Sequence, residues 1–184
     1  MPTVVVPFRR ETAKQRLAPA PDEVRAALAQ AMLDDVLAAG EPVGTVVLAD
    51  EPGGQGQAVE GALRRVEQGP VLIVNADLPC ARPRDLLTLL GALPEGGMAL
   101  VEAADGTTNA LALATPHLFA PLYGPDSAER FAARAERLGV PAVLAAIPNL
   151  ADDVDNLADL ERLEGRLGAR TAAALDSLRA GHPR

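Results

Sequence analysis

The feature that most restricts the fold is an alternation of short apolar segments and helical patterns along 184 residues. Runs of Val, Leu and Ile predict buried strands, and apolar residues at helical spacing predict helices between them. The predicted strands span residues 3–8, 43–49, 71–75, 98–103, 110–115 and 142–147. The predicted helices span residues 21–39, 83–93, 126–138, 157–167 and 171–180, with a further helix from the turn at 53–56 to about residue 67. Strands and helices at this spacing predict an α/β fold with a mainly parallel, doubly wound sheet.

Length and composition narrow the class of protein further. A chain of this size suits one domain, 1–184, and we expect its last helix, 171–184, to be peripheral. The net charge of −8 and the presence of only four aromatic residues argue against a nucleic-acid or membrane partner. The single cysteine, Cys80, has no partner for a disulfide, and no signal sequence is apparent. We therefore expect a cytoplasmic protein.

An aspartate follows the predicted strand at 71–75. The sequence Asn75-Ala-Asp77-Leu-Pro79 places Asp77 where a buried strand reaches the surface, and Pro79 prevents the strand from continuing. Ligands of open parallel sheets bind beyond the carboxyl ends of the strands, where a carboxylate can hold a hard cation. The alternative is that Asp77 caps a helix and Pro79 lies in its first turn.

A second acidic cluster, Asp152-Asp153-Val-Asp155, follows the last predicted strand. Residues two apart in an extended segment point to the same side, so Asp153 and Asp155 can converge while Asp152 faces away. Together with Asp77 they predict an oxygen-rich Mg²⁺ site of the kind that works with substrate phosphates. The alternative is that Asp153 or Asp155 caps the helix that begins near residue 157.

Basic residues are concentrated directly after the first predicted strand. The segment 9–17 contains Arg9, Arg10, Lys14 and Arg16, and Lys14 is the only lysine in the chain. A flexible ammonium suits a phosphate that moves during a reaction, whereas arginine suits a fixed clamp. This segment has no Walker A sequence, and a solvated basic loop is the alternative.

Three further loops contain small and polar residues. The glycine-rich turn at 53–57 precedes a helix, and Gln55 or Gln57 is available there to hydrogen-bond the edge of a base; an ordinary turn is the alternative. The segments 106–109 and 123–127 combine backbone amides with hydroxyl groups, and the second opens a helix. Such a helix start is a ready anion site, although Ser127 is also an ordinary N-cap residue.

Taken in chain order, these segments resemble the 2-phospho-L-lactate/phosphoenolpyruvate guanylyltransferase family. The segments that carry the resemblance are 6–17, 75–79, 106–111, 123–127 and 153–160. The resemblance implies a Rossmann-like nucleotidyltransferase fold of three layers, related to that of molybdenum-cofactor guanylyltransferases. It also implies GTP and a small phosphoacid, phosphoenolpyruvate or 2-phospho-L-lactate, as substrates in coenzyme F-420 biosynthesis.

The resemblance also implies roles for individual residues. Asp77, Asp153 and Asp155 match the Mg²⁺ ligands, and Asn109, Gly124 and Ser127 match the positions that hold the phosphoacid. We expect Lys14, Arg16 and Arg9 to act in catalysis by neutralising the pyrophosphate. The nucleotide-binding residues that we expect are Pro7, Lys14, Gly54 and Gln57. This chain departs from the family pattern at Phe8, Arg9 and Arg10, where many relatives carry a lysine, and it lacks the Leu-Asn step after the glycine loop.

The predicted reaction is in-line attack by an acceptor phosphate on the α-phosphorus of GTP, with no general base. One alternative is a guanylyl- or cytidylyltransferase of the molybdenum-cofactor type, or one that acts on an alcohol phosphate. Another is a glycosyltransferase that uses the Asp153-Val-Asp155 segment to hold a sugar nucleotide. A third is a nucleotide-binding protein without catalytic activity. The sequence leaves the oligomeric state open, with a homodimer among the options.

Overall fold

The computed structural model describes residues 1–8, 17 and 20–181. Within this part of the chain the strands are β1 (Thr3–Pro7), β2 (Thr45–Ala49), β3 (Val71–Val74), β4 (Met98–Glu102), β5 (Thr108–Leu113) and β6 (Ala142–Leu144). The α-helices are α1 (Asp22–Gly40), α2 (Gln55–Leu63), α3 (Pro83–Gly91), α4 (Ser127–Leu138), α5 (Pro148–Ala151), α6 (Leu157–Leu163) and α7 (Ala169–Gly181). Short 3₁₀ turns occupy Pro116–Leu118 and Glu164–Arg166. None of these described helices is long and apolar enough to cross a membrane.

The strands form one mainly parallel sheet in the order β2-β1-β3-β5-β4-β6. β1 pairs in parallel with β2 and β3, and β4 pairs in parallel with β6. β5 is antiparallel to both of its neighbours, β3 and β4. Its first residues therefore lie at the edge of the sheet where β1, β2, β3 and β4 end.

The sheet buries both of its faces under helices. Val4 and Val6 pack on one face with residues of α1, α3 and α5, whereas Val5 packs on the other with residues of α2 and α4. This division follows from the two-residue period of a strand, and strands buried on both faces read as continuous apolar runs. The predicted three-layer α/β fold with a mainly parallel sheet is confirmed.

Two element boundaries differ from the prediction in ways that affect the site. β5 begins at Thr108 rather than residue 110, because Thr108 pairs with Glu102 across the β4–β5 hairpin. The last strand ends at Leu144 rather than residue 147 and is followed by α5, which begins at Pro148. Proline is favoured at the first position of a helix, and Pro148 occupies that position in α5.

The last helix, α7, packs mainly against α1. Asp35 of α1 is only 7% exposed, and its carboxylate accepts hydrogen bonds from the N–H groups of Arg170 (3.1 Å) and Thr171 (2.8 Å). A carboxylate is favourable at this point because the first N–H groups of a helix have no partner within the helix. Leu175 of α7 is buried in an outer apolar cluster with Leu28 of α1.

Candidate active site

A cavity of about 340 Å³ lies at the edge of the sheet where the parallel strands end. Pro7 at the end of β1, Ala49 at the end of β2 and Asn75 after β3 contribute to its wall, as does Thr108 at the start of β5. The residues predicted for the site that line this cavity are Pro7, Asp77, Asn109, Gly124, Ser127, Asp153 and Asp155.

Asp77 lies in the turn that follows β3, and it lines the cavity. The next helix, α3, begins only at Pro83, and Asp85 in its first turn accepts a hydrogen bond from the Arg82 N–H at 3.0 Å. Asp77 is therefore too far from α3 to cap it, and the helix-cap alternative is wrong. The carboxylate is instead presented at the carboxyl edge of the sheet, as the sequence pattern predicts.

The loop that carries Asp153 and Asp155 is attached directly to Asp77. The N–H of Val154 donates a hydrogen bond to the backbone oxygen of Asp77 at 3.0 Å. The Val154 side chain is 1% exposed, and it belongs to the apolar cluster that includes Cys80 and Leu160. This attachment brings the two acidic segments, far apart in the sequence, to one side of the cavity.

The acids of this loop divide as the spacing predicts. Asp153 and Asp155 line the cavity, while Asp152 accepts hydrogen bonds from Arg162 and Arg166. Burial favours protonation of Asp152, but the hydrogen bonds and positive charges of the two arginines prevail and lower its pKa.

The N-terminus of α6 has its own cap. The Asn156 side chain accepts hydrogen bonds from the N–H groups of Ala158 (2.9 Å) and Asp159 (3.2 Å). The Asp159 carboxylate in turn accepts a hydrogen bond from the Asn156 N–H, which completes a capping box. Neither Asp153 nor Asp155 supplies this cap, so both carboxylates remain on the cavity side.

The surroundings of the acidic loop disfavour the charged form of Asp153 when no cation is bound. Burial is the largest effect that raises the pKa of Asp153, and the neighbouring charge of Asp155 raises it further. The Asn109 side chain opposes this shift through a hydrogen bond to Asp153. A bound cation would reverse the penalty on the charged form. Across residues 1–8, 17 and 20–181, however, no three His, Cys, Asp or Glu side chains form a ready-made metal cluster.

The two loops predicted to hold the acceptor are joined to each other by a buried contact. The Ser127 hydroxyl accepts a hydrogen bond from the Thr108 N–H at 2.8 Å and donates one to the Thr108 hydroxyl at 3.2 Å. Both residues are at most 1% exposed. Ser127 therefore fixes the start of β5. Asn109 has a similar link, because its side-chain amide donates to the backbone oxygen of Ala151 at 3.2 Å.

Gly124 has a φ of 111°, which non-glycine residues rarely adopt. The turn that it forms is held by Arg130, whose guanidinium donates to the backbone oxygens of Tyr123 (3.2 Å) and Pro125 (2.6 Å). This turn brings the loop before α4 to the cavity wall, where both Tyr123 and Gly124 contribute to the lining.

The start of α2, directly after the glycine-rich turn, contributes Gln55 to the cavity wall. Its side-chain N–H donates to Asn75 Oδ1 at 2.7 Å, and the Asn75 amide in turn donates to the backbone oxygen of Thr108 at 3.2 Å. Gly54 and Gln57 are not among the described residues that line the cavity. Gln57 is exposed, and its side chain lies against Gly53.

The predicted cationic residues Lys14, Arg16 and Arg9 lie outside the described residues. Asn75 and Thr108 also line the cavity and are not among the residues predicted for the site, although Thr108 adjoins the predicted Asn109. Asn75 occupies the first position after β3, which is a signal that could have identified it. The apolar pattern starts the strand at residue 110 and so leaves Thr108 in a predicted loop rather than in β5.

The family follows from comparison with known proteins. No family model matches the chain. A phosphoenolpyruvate guanylyltransferase from Sphaerobacter thermophilus is 36% identical over 190 residues, covering 88% of this chain and 91% of the relative. A protein of the same name from Streptomyces scabiei is 36% identical, covering 94% of each chain. The chain belongs to the phosphoenolpyruvate guanylyltransferase family.

Solved structures agree on the fold of this guanylyltransferase family member. A crystal structure from Desulfovibrio desulfuricans, described as a nucleotide-diphospho-sugar transferase, matches with a TM-score of 0.75 at 14% identity over 97% of this chain and 95% of that one. The 2-C-methyl-D-erythritol 4-phosphate cytidylyltransferase of Thermus thermophilus matches with a TM-score of 0.58 at 17% identity over 88% and 96%. The fold is therefore that of nucleotidyltransferases.

Proposed function

We propose that this protein transfers GMP from GTP to phosphoenolpyruvate and releases pyrophosphate. The observation that carries the proposal is one cavity whose wall holds Asp77, Asp153 and Asp155 together with the loops at 106–109 and 123–127. Membership of a family whose relatives are named phosphoenolpyruvate guanylyltransferases supports the choice of both substrates. We propose that residues 1–184 act as one catalytic domain and, from the resemblance, that the reaction serves coenzyme F-420 biosynthesis.

The reaction forms one bond to phosphorus and breaks another. An oxygen of the acceptor phosphate attacks the α-phosphorus of GTP, and the bond from that phosphorus to the oxygen bridging the β-phosphorus breaks. Pyrophosphate leaves with the electron pair. The acceptor phosphate is already anionic near neutral pH, so no side chain has to remove a proton. The contribution of the protein is to align the two anionic substrates in the cavity and to offset their charge.

The acidic residues suit Mg²⁺, which is bound in proteins by one or two carboxylates and completes its coordination with water and substrate phosphates. A preformed cluster of three carboxylates is therefore not required. Burial and the neighbouring charge of Asp155 raise the pKa of Asp153, which indicates that Asp153 is costly to ionise without a cation. Asp77, Asp153 and Asp155 would hold the ion, which when bound neutralises charge on the phosphates.

The cations that meet the leaving pyrophosphate are proposed to be Lys14, Arg16 and Arg9. They follow β1 in the sequence, and Pro7 at the end of β1 lines the cavity. The opposing positive charge that a triphosphate needs is concentrated in this segment of an otherwise acidic chain.

The acceptor is proposed to bind between the loops joined by Ser127 and Thr108. Asn109, Gly124 and Ser127 line this part of the cavity. Because the Ser127 hydroxyl already bonds to Thr108, we propose that Ser127 holds the loop in place, while backbone groups near Gly124 and the Thr108 hydroxyl meet the phosphoacid.

Guanine is proposed to bind beside Gln55. A backbone oxygen can only accept, so the Thr108 oxygen requires the NH₂ of Asn75 to face it. Asn75 then offers its oxygen to Gln55, which donates one of its two amide hydrogens in that bond and is oriented by it. The Gln55 carbonyl oxygen accepts no hydrogen bond among the described residues, and an acceptor suits the N1–H and 2-amino donors of guanine rather than a phosphate.

The acceptor assay tests the proposed reaction directly. The protein is incubated with GTP, Mg²⁺ and one acceptor at a time: phosphoenolpyruvate, 2-phospho-L-lactate or 3-phosphoglycerate. Pyrophosphate and the guanylated acceptor are both measured. We expect the highest kcat/KM with phosphoenolpyruvate. Release of pyrophosphate with none of the three would refute the proposed function, whereas a preference for 2-phospho-L-lactate would refute only the choice of acceptor.

Two carboxylate variants test the proposed metal ligands. Asp77→Asn and Asp155→Asn should abolish Mg²⁺-dependent turnover while far-UV circular dichroism remains that of the wild type. Asp176→Asn is the matched control, because Asp176 is an exposed carboxylate on α7. Wild-type turnover in both site variants would exclude the assignment.

Two glutamine variants on the same helix test the proposed contact between Gln55 and guanine. Gln55→Leu should lower kcat/KM for GTP and leave the smaller value for ATP nearly unchanged, because only guanine pairs both N1–H and its 2-amino group with an acceptor. Gln57→Leu is the control, since Gln57 is an exposed glutamine on the same helix. Equal losses for GTP and ATP, or equal effects of the two variants, would contradict the role of Gln55.

A further inference from the structure

The acidic loop 152–156 has no regular secondary structure, yet it has to hold the carboxylates of Asp153 and Asp155 in fixed relative positions. Arg162 of α6 contacts groups that hold both ends of this loop. Its Nη1 donates to the Asp152 carboxylate at 2.9 Å, and its Nη2 donates to Asp159 Oδ1 at 3.3 Å. The other oxygen of Asp159 accepts the N–H of Asp155 at 3.0 Å. The Arg162 guanidinium thus connects Asp152 to Asp159, whose carboxylate holds the backbone N–H of Asp155.

A second arginine connects the same end of the loop to the layer under the sheet. Arg166 donates to Asp152 and, through its other amino group, to the Asn149 side chain at 3.3 Å. Asn149 donates in turn to Asp85 of α3 at 2.9 Å. The backbone oxygen of Arg166 accepts a hydrogen bond from Arg82 at 2.8 Å. The contacts of Asp152 therefore extend to α3 as well as α6.

We infer that Arg162, Arg166 and Asp152 are positioning residues that set the relative placement of Asp153 and Asp155 for a divalent cation. They act through the loop, since Asp152 is turned toward the two arginines. Arginine suits this task because its planar fork bonds two acceptors at once in fixed directions, which the single ammonium of lysine does not. The inference rests on the proposed function, in which this pair of carboxylates binds Mg²⁺.

A purely structural role of Arg162 and a positioning role predict different effects of removing its side chain. Ion pairs between partly exposed side chains contribute little to global stability, and the Arg162 side chain is 51% exposed. Loss of the pair should therefore barely change the unfolding transition. Groups that orient metal ligands have a larger effect on metal affinity, commonly about 10-fold or more when they are removed. The two roles are thus distinguished by which quantity changes.

The experiment measures Mn²⁺ binding to the full chain without substrates, using the electron paramagnetic resonance signal of free Mn²⁺. Arg162→Met should raise the Kd for Mn²⁺ by about 10-fold, and Arg162→Lys should give an intermediate value. Thermal unfolding of each variant in EDTA should remain close to that of the wild type. The Mg²⁺ concentration that gives half-maximal turnover should rise in the same order.

A matched control is available on the neighbouring helix. Arg179 of α7 forms a pair of hydrogen bonds to Glu164, at 2.6 and 3.1 Å, with side chains 43% and 53% exposed. Its contacts do not include the 152–156 loop among the described residues, so Arg179→Met should leave the Mn²⁺ Kd unchanged. If Arg162→Met does not fold, Asp152→Asn removes the same interaction from the loop side and is measured instead.

The outcomes separate the inference from the function on which it rests. Wild-type protein that binds no Mn²⁺ and turns over without Mg²⁺ would overturn the metal assignment and the inference together. Wild-type Mn²⁺ binding with an unchanged Kd in Arg162→Met and Asp152→Asn would overturn the inference alone. An equal increase in Arg179→Met would also overturn it, since the effect would not be specific to the loop.

Discussion

Replacing Ser127 with alanine should affect both the stability of the fold and the acceptor site. The hydroxyl makes two hydrogen bonds to Thr108, at 2.8 and 3.2 Å, and both residues are buried. Its loss leaves the Thr108 N–H and hydroxyl without this partner, which costs about 1–3 kcal/mol in the free energy of unfolding. In a domain of this size that corresponds to a decrease in Tm of about 2–12 °C. The KM for the acceptor should rise as the two loops separate.

Thermal unfolding followed by circular dichroism, with urea titrations at 25 °C, provides the measurement. Ser177→Ala is the control, because the exposed Ser177 hydroxyl donates a hydrogen bond within its own helix, to the Ala173 oxygen at 2.9 Å. Its effect should stay within about 0.5 kcal/mol. If Ser127→Ala shifts Tm no more than Ser177→Ala does, the Ser127 hydroxyl does not join the loops and the reasoning fails.

Two further predictions concern the half-buried carboxylate of Asp153 and the buried carboxylate of Asp35. Asp153→Asn should abolish activity but raise the Tm of the metal-free protein at pH 7. Because the pKa of Asp153 is raised in the folded state, the penalty for its charge is complete above that raised pKa. The penalty shrinks as the pH falls between the two pKa values, and the gain in Tm should vanish below the ordinary value of 3.8. Melting curves in EDTA across this range test the prediction, and a gain that persists at the lowest pH would contradict it. Asp35→Ala should destabilise the protein by about 1–3 kcal/mol because the Arg170 and Thr171 N–H groups lose their acceptor. Urea unfolding measures that change, and faster proteolysis within α7 than in the wild type should accompany it, whereas wild-type stability would show that this carboxylate does not anchor the helix.

The sequence predicted the acidic part of the site because two local rules apply there. Asp77 follows a strand whose end is marked by Pro79, and Asp153 and Asp155 share a side through their two-residue spacing. Both rules depend only on neighbouring residues. The capping box of Asn156 and Asp159 is equally local, but Asp153 and Asp155 before it are competing candidates for the cap.

The contacts that the sequence could not reveal depend on the sheet topology. Ser127 meets Thr108 only because β5 starts at the edge where the parallel strands end. Gln55 meets Asn75 only because α2 passes close to the end of β3. Side-chain pairs of this kind follow from the order and direction of strands, which hydrophobic periodicity does not specify.

The reversed direction of β5 has a consequence for how acceptor preference can change. β4, β5, the 3₁₀ turn at Pro116–Leu118 and α4 are consecutive in the chain, so residues 98–138 form a contiguous cassette that contains the proposed acceptor loops. The proposed nucleotide and metal contacts come from segments before and after it. We therefore expect this cassette to be exchangeable between family members. A chimera should acquire the phosphoacid preference of the protein that donates the cassette and keep the nucleotide preference of the protein that receives it.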